Sequence, residues 1–253
     1  EQLNVENTER QREEAEIVVQ ARRAVETDPD VGAHGLLVVS GDGWHRGVIG
    51  IVASKLVDAF HRPAIVLAIE GDVAYGSGRS IPGFDLLAAL ERCRDLFTRF
   101  GGHRQAAGLT LEASGLKEFR ARITEDADAR LGPDELTPRL RIDGALPLPA
   151  ITAGVIEGVA TLAPFGMGNR RPIFHADGVA IVDGPRTVKE RHLKMSVRQG
   201  QRVFRAIAWQ AAERADFLNA HRAALNLAFS LTENHYRGQT FVELSVADVQ
   251  EAR

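Results

Sequence analysis

The 253-residue chain lacks several things that would classify it at once. It has one cysteine, Cys93, so it has no internal disulfide, and its stability does not depend on an oxidising compartment. One cysteine also cannot build a multi-cysteine zinc site. No apolar run approaches the roughly 18–20 residues of a membrane span, and the acidic opening Glu1-Gln2-Leu3 is not a signal peptide. There is no Walker phosphate loop, no internal repeat and no low-complexity tract. Hydrophobic residues at 44% and charged residues at 26% exclude global disorder and leave ample material for a core. The composition predicts a cytoplasmic protein of two domains, and the missing initiating methionine predicts a piece of a longer one.

What is present is unevenly spread. Net charge is −5 over residues 1–30, −2 over 31–138 and +4 over 139–253. A basic final third on an acidic chain points to a polyanionic partner, because the partner meets the local field.

Residues 4–27 read as one long helix with a thin apolar stripe, an arm laid across something. Leu36 to Val39 and Ala64 to Ala68 read as buried strands on either side of a helix over 46–61. A third strand at 73–75, a strand at 107–112, and helices at 84–96 and 114–131 complete an α/β domain with a mixed, largely parallel sheet. Leu131-Gly132-Pro133 and Thr137-Pro138 mark the boundary. Strands follow at 139–145, 174–183, 187–198, 202–208, 224–233 and 240–248, with helices near 149–162 and 210–220. This pattern fits a small all-β barrel of the oligonucleotide-binding kind. The expected division is 1–30, a connecting helix; 31–135, the α/β domain; and 136–253, the barrel.

Four segments carry chemical signals. Ser40 to Gly47, between a strand and a helix, lies where anion-binding loops sit. It nearly matches a dinucleotide fingerprint, with Glu70 as the ribose acid, but its third glycine is late and Trp44-His45 fills the space; these two could instead wall a site. Tyr75-Gly76-Ser77-Gly78-Arg79-Ser80 offers a forked cation and two hydroxyls, the groups a terminal phosphate asks for, against the plainer reading of a β-turn. Phe100-Gly101-Gly102-His103, followed by small residues to Gly108, describes backbone squeezed close with an imidazole at its edge, suited to proton transfer or a phosphate contact. In the last third, Arg186, Lys189, Arg191, Lys194, Arg198, Arg202 and Arg205 face one acid, Glu190, a stripe able to follow a phosphodiester backbone. Phe204, Trp209, His235 and Tyr236 offer stacking surfaces, unless they are core.

These segments, together with Leu3-Asn4, Asn7, Arg10, Gly43 to Ile51, Arg62-Pro63, Gly83-Phe84, Pro164-Phe165-Gly166-Met167-Gly168-Asn169, His192-Leu193-Lys194, Glu233-Asn234 and Gly238, resemble in order and spacing the C-terminal half of RecJ-type single-strand DNA exonucleases of the DHH phosphoesterase superfamily. The resemblance implies a DHH-associated α/β domain after a connecting helix, then an oligonucleotide-binding barrel. It implies a whole enzyme that degrades single-stranded DNA from its 5′ end with two Mn²⁺ or Mg²⁺ ions, in repair and recombination. By resemblance His103 is the catalytic residue reaching substrate phosphates beside the metals. Ser77, Arg79, Ser80, Gly101, Gly102 and His45 hold the substrate phosphate, and Arg186, Lys189, Arg191, His192, Lys194, Arg198, Asn169 and Tyr236 bind DNA.

The chain departs from that family's full pattern in having no Asp-His-His motif. Two-metal hydrolysis needs clustered carboxylates and histidines, and the scattered acids here form no such cluster. No metal ligand is therefore expected in this chain, nor cleavage by it alone. The expected partners are single-stranded DNA, the DHH catalytic domain and a single-strand-binding protein, with no membrane. The alternatives are a free-standing single-strand-binding adaptor and a phosphodiesterase of short oligonucleotides or cyclic dinucleotides.

Overall fold

The computed structural model describes residues 2–166, 168–236 and 238–252, without the side chains of 2–5, 235, 236, 239 and 240. The chain forms two compact units, Glu1–Pro138 and Arg139–Arg253.

The first unit opens with helix α1 (Gln2–Thr27) and a short turn of helix, α2 (Pro29–Gly32). Strand β1 (Leu37–Asp42), helix α3 (Ile49–Phe60) and strand β2 (Ala64–Glu70) form the expected crossover, with β1 and β2 parallel. Helix α3 stops at His61, whose left-handed φ of 50° closes the last turn. Strand β3 (Val73–Arg79) turns straight back along β2. After helix α4 (Leu86–Glu91), capped by the Asp85 carboxylate on Ala88 N, come strands β4 (Phe97–His103) and β5 (Ala106–Glu112). Helices α5 (Leu116–Asp128) and α6 (Pro133–Leu136) end the unit. The sheet order is β1-β2-β3-β5-β4.

The sheet is mixed, as expected, but only β1 and β2 are parallel; the other three pairings are antiparallel. The reason is the connection length, since the two residues Gly71 and Asp72 can only make a hairpin. Two further expectations change here. Residues 75–79 are strand, not turn, and the helix over 84–96 stops at Glu91 so that 97–103 can pair with β5.

One face of the sheet packs Leu37, Val39, Val66 and Ala68 against α1 and α3. The other packs Val38, Ile65, Leu67 and Leu109 against α4 and α5 through Leu86, Leu90, Phe119 and Ile123. Cys93 is buried in that second core, and burial pushes its thiol pKa up, which leaves it unreactive. Helix α1 is fixed by more than its apolar stripe. Glu14 receives Lys55 of α3 at 2.6 Å, and Trp44 Nε1 donates to Gln20 at 2.9 Å. Trp44 is thus a core residue and not a site wall.

The second unit begins with the two-residue strand β6 (Gly144–Ala145), all that forms of the strand expected at 139–145, and helix α7 (Ala153–Ala160), capped by Thr152. Strands β7 (Phe174–Val188), β8 (His192–Gln199) and β9 (Arg202–Ala208), helix α8 (Ala215–Ala220) and strands β10 (Leu225–Tyr236) and β11 (Gln239–Glu251) follow. They pair in the order β7-β8-β9-β11-β10, and β10 pairs back to β7, so five strands close into a barrel. The single parallel contact within the barrel, β9 with β11, is allowed by the crossover through α8. Leu193, Met195 and Val197 of β8 point into the barrel with Phe204, Ala206, Phe229 and Leu244. By strand alternation Lys194, Ser196 and Arg198 point out. Phe204 is therefore core and not a stacking surface.

Candidate functional site

In the α/β unit, sheet register brings together residues that sequence analysis treated as separate segments. Ser77 of β3 pairs with Gly108 of β5, and Gly108 pairs with Gly101 of β4. One step along, Arg79 pairs with Ala106, and Ala106 with His103; one step the other way, Tyr75 pairs with Thr110, and Thr110 with Arg99. Directly paired residues share a face, so these nine form one surface. It is the face that α3 covers over β1 and β2 and leaves open over β5 and β4. Its middle row is small, and Gly101, Gly108 and His103 are exposed.

The edges of this surface are cationic. Arg79 Nη1 donates to Ser77 Oγ at 3.1 Å and to the Gly78 carbonyl at 2.8 Å, which fixes the guanidinium. The start of α3 lies directly over that pair, because a Cβ on Gly50 would stand 3.0 Å from both Arg79 Nη2 and Ser77 Oγ. Only glycine permits this approach without displacement. Arg46 lies over the Tyr75 ring at 5.2 Å, and Arg46, Tyr75, Ser77, Arg99 and Gly101 line one open cleft of about 500 Å³. Gly102 is required as well: its φ is +149°, and a Cβ there would collide with the Ala106 carbonyl.

Not every expected phosphate ligand faces the cleft. The Ser80 hydroxyl donates to the Phe84 carbonyl at 2.8 Å, inside the turn that follows β3. His45 is exposed, but its Nδ1 accepts the Gly47 N–H at 3.1 Å. Arg46, Tyr75 and Arg99 were missed by motif reading. Alternation finds two of them, since Tyr75 and Arg99 sit two residues before Ser77 and Gly101 on their strands, whereas Arg46, in the loop before α3, carries no such signal.

In the barrel unit two adjoining clefts open on the outer face. One, of about 540 Å³, is lined by Arg186, Lys194, Arg205 and Phe241; the other, of about 440 Å³, by Lys189, His192, Lys194 and Trp209. They share Val188, Lys194, Asn234 and Glu243, so they form one groove. Arg186 pairs with Lys194 across β7 and β8, and Arg205 lies over the Phe241 ring at 4.6 Å. Trp209 is 57% exposed and meets the His192 ring edge-on at 4.8 Å. Arg191 is exposed at the tip of the β7–β8 hairpin, and Arg198 lies on the same outer face as Lys194, four residues along β8, outside the clefts.

Asn169 is elsewhere. Its Nδ2 donates to the Leu162 and Pro164 carbonyls, closing the 162–169 loop on itself. Arg202 donates to the Ile151 carbonyl and is not a groove residue. Met167 and the side chains of His235 and Tyr236 lie outside the described residues.

Among the described residues no three of His, Cys, Asp and Glu converge as metal ligands, and no helix is long and apolar enough to cross a membrane. The donor set present does not fit a two-metal centre.

An α/β domain with an open glycine-floored face and a five-stranded barrel with a basic groove define the class. Residues 33–128 match the DHHA1 domain, and residues 142–248 match the RecJ OB domain. This is the C-terminal domain pair of the RecJ family, to which the chain belongs. The single-stranded-DNA-specific exonuclease RecJ of Bacillus subtilis is 39% identical over 180 residues, covering 70% of this chain and 23% of the relative. Two crystal structures of Thermus thermophilus RecJ, in complex with Mg²⁺ and with Mn²⁺, match 100% of this chain. They do so at 28% identity with TM-scores of 0.79 and 0.80, over 37% and 36% of their own lengths. The chain spans about a quarter to a third of the length of the curated relatives it matches.

Proposed function

We propose that this chain is the substrate-holding part of a 5′-to-3′ single-strand DNA exonuclease of DNA repair and recombination, working in the cytoplasm. The observation that carries the reading is the shared face of β3, β5 and β4. It sets Ser77 and Arg79 beside the start of a twelve-residue helix, across a floor of glycine and alanine from His103. A helix start presents free backbone N–H groups, and an arginine beside it adds a forked cation. A terminal phosphate satisfies both. The glycine floor lets a strand end lie against backbone, and His103 at its far edge meets the next phosphate.

The barrel groove then holds the strand. In this fold the second and third strands and the hairpin between the first and second take oligonucleotides, and here those elements carry Lys194, Arg205, Lys189 and Arg191. The metals, and the carboxylates and histidines that hold them, belong in this reading to a separate DHH catalytic domain. This chain alone binds and does not cleave.

The test is fluorescence anisotropy of the purified chain with short oligonucleotides, single-stranded and duplex, with and without a 5′ phosphate. Preference for the single strand, steep weakening with salt and a gain from the 5′ phosphate support the reading. Equal affinity for duplex and single strand overturns it.

A further inference from the structure

Three acids line the groove among its cations: Asp183, which holds Arg186 at 2.7 Å, Glu233, and Glu243, which lies in the floor and is shared by both clefts. Glu243 of β11 is 6% exposed and lines both clefts. Its neighbours only half satisfy it. Asn234 Nδ2 donates to Oε2 at 3.1 Å, while Oε1 has no hydrogen-bond partner among the described residues. Its register partner across β9 is Arg205, yet no ion pair joins the two within 4.0 Å, because the Arg205 guanidinium lies over Phe241 instead. The Thr232 hydroxyl bonds the Glu243 main chain at 3.0 Å and leaves the carboxylate alone.

Oε1 is open to the groove, since the buried side-chain polar atom left without a partner among the described residues is Arg120 Nε. Partial burial of the Glu243 charge still carries a cost, and a hydrophobic residue would tie β10 to β11 as well. In a groove that takes a polyanion the cost has a use. Like charge excludes a phosphate from the floor, so the backbone is confined to the rim cations Lys194 and Arg205, Arg186 being already paired with Asp183, and the bases turn inward. What the floor then meets is a base edge, and a carboxylate accepts only from a donor. Cytosine presents N4–H₂, and adenine and guanine carry amino groups too. Uracil and thymine present O4 at the same position, and their one donor, N3–H, is flanked by two carbonyl oxygens.

We propose that Glu243 reads amino-bearing bases in the barrel groove, giving it a preference for cytosine over uracil or thymine at the position above Oε1. The proposal rests on the groove being the nucleic-acid surface, and the experiment separates the two. The 253-residue chain is titrated with 5′-hydroxyl oligo-dC and oligo-dU of one length at one salt concentration, strands that differ only in the group at C4 and the proton on N3. The expected result is about fivefold tighter binding of oligo-dC, the lower end for a specific base contact. Glu243→Met brings that ratio to near one and leaves oligo-dU bound as well or better, because the charge that repelled the backbone is gone. Glu243→Gln retains an acceptor and the Asn234 contact, so it folds as the parent does and narrows the ratio.

A purely structural role for Glu243 moves the melting temperature and leaves the ratio alone. Equal binding of the two strands by the unmodified chain overturns the inference, as does a ratio unchanged in either variant. Failure to bind either strand overturns the groove itself, and this inference with it.

Discussion

Arg79 and His103 lie in one row of one sheet, each paired with Ala106 between them. Two strand spacings, about 10 Å, separate their backbones. Twenty-four positions of sequence collapse to that distance because β5 is inserted between β3 and β4, and a histidine and an arginine come to bracket a floor of alanine and glycine.

The first consequence concerns selectivity for the strand end. Arg79→Ala weakens binding of 5′-phosphorylated single strands by about 1.5–3 kcal/mol, the range for a hydrogen bond to a charged group, and barely affects 5′-hydroxyl strands. Paired anisotropy titrations measure both; equal losses would place Arg79 outside the phosphate pocket.

Gly50 gives a sharper test, because stability and binding move apart. Alanine is favoured over glycine by about 1 kcal/mol in a helix interior and by less in the first turn, where Gly50 stands, so Gly50→Ala keeps or slightly raises the melting temperature. Its methyl, 3.0 Å from Arg79 Nη2 and Ser77 Oγ, pushes the guanidinium aside and lowers the 5′-phosphate preference. A variant that melts higher and keeps full preference would show that the start of α3 takes no part.

In the barrel, Lys194→Ala and Arg205→Ala each flatten the slope of log affinity against log salt by about 0.7, one phosphate contact on a single strand. Arg202→Ala leaves the slope unchanged and lowers the melting temperature instead, since Arg202 holds the Ile151 carbonyl at 3.0 Å and lies over the Phe204 ring. Salt titrations of the three variants distinguish groove cations from structural ones.

Acid stability follows from a cluster on the far side of the first unit. Arg122 donates to both Asp95 oxygens at 2.7 and 2.8 Å, and these bonds hold the Asp95 pKa below the usual carboxylate range. Burial pushes Asp126 the other way, but its bonds from Arg92 and Arg130 outweigh it and the net shift is downward. A carboxylate whose folded pKa is lowered contributes stability above its unfolded pKa and loses it as pH falls through the folded one. Asp126→Asn therefore melts below the parent near neutral pH, and the gap closes as pH drops below about 4. A gap independent of pH would assign the effect to packing.

The sequence carried the barrel better than the sheet. Phe241 to Val246 alternate cleanly, and β11 is where they predict; the continuous apolar runs Leu36 to Val39 and Ala64 to Ala68 likewise mark β1 and β2. Strand β3 was legible over 73–75 and hidden beyond, because glycine reads as a turn. Gly76 and Gly78 are there because Leu109 and Leu86 occupy the space their side chains would take, which is a tertiary fact. Strand β4 ends in the pair Gly101-Gly102, which reads as a turn, and is held by one neighbour, β5. The site was legible as motifs but not as a surface. Ser80 and Asn169 look like ligands until the carbonyls they bond are known, and Arg99 looks like nothing until register sets it in one row with Tyr75, across Thr110.

Gly101 and Gly108 have a property that their exposure alone does not convey. A Cβ at Gly101 meets nothing within 4 Å, and one at Gly108 only the Gly76 carbonyl at 3.9 Å. The fold has no objection to a side chain at either place; in the proposed reading the objection comes from the strand that lies on top. In that reading Gly101→Ala or Gly108→Ala keeps or raises the melting temperature, since glycine weakens a strand, and registers as a loss of binding. Because that footing is made of main chain, it carries no message about which base rests on it, and a strand of any composition can be seated there.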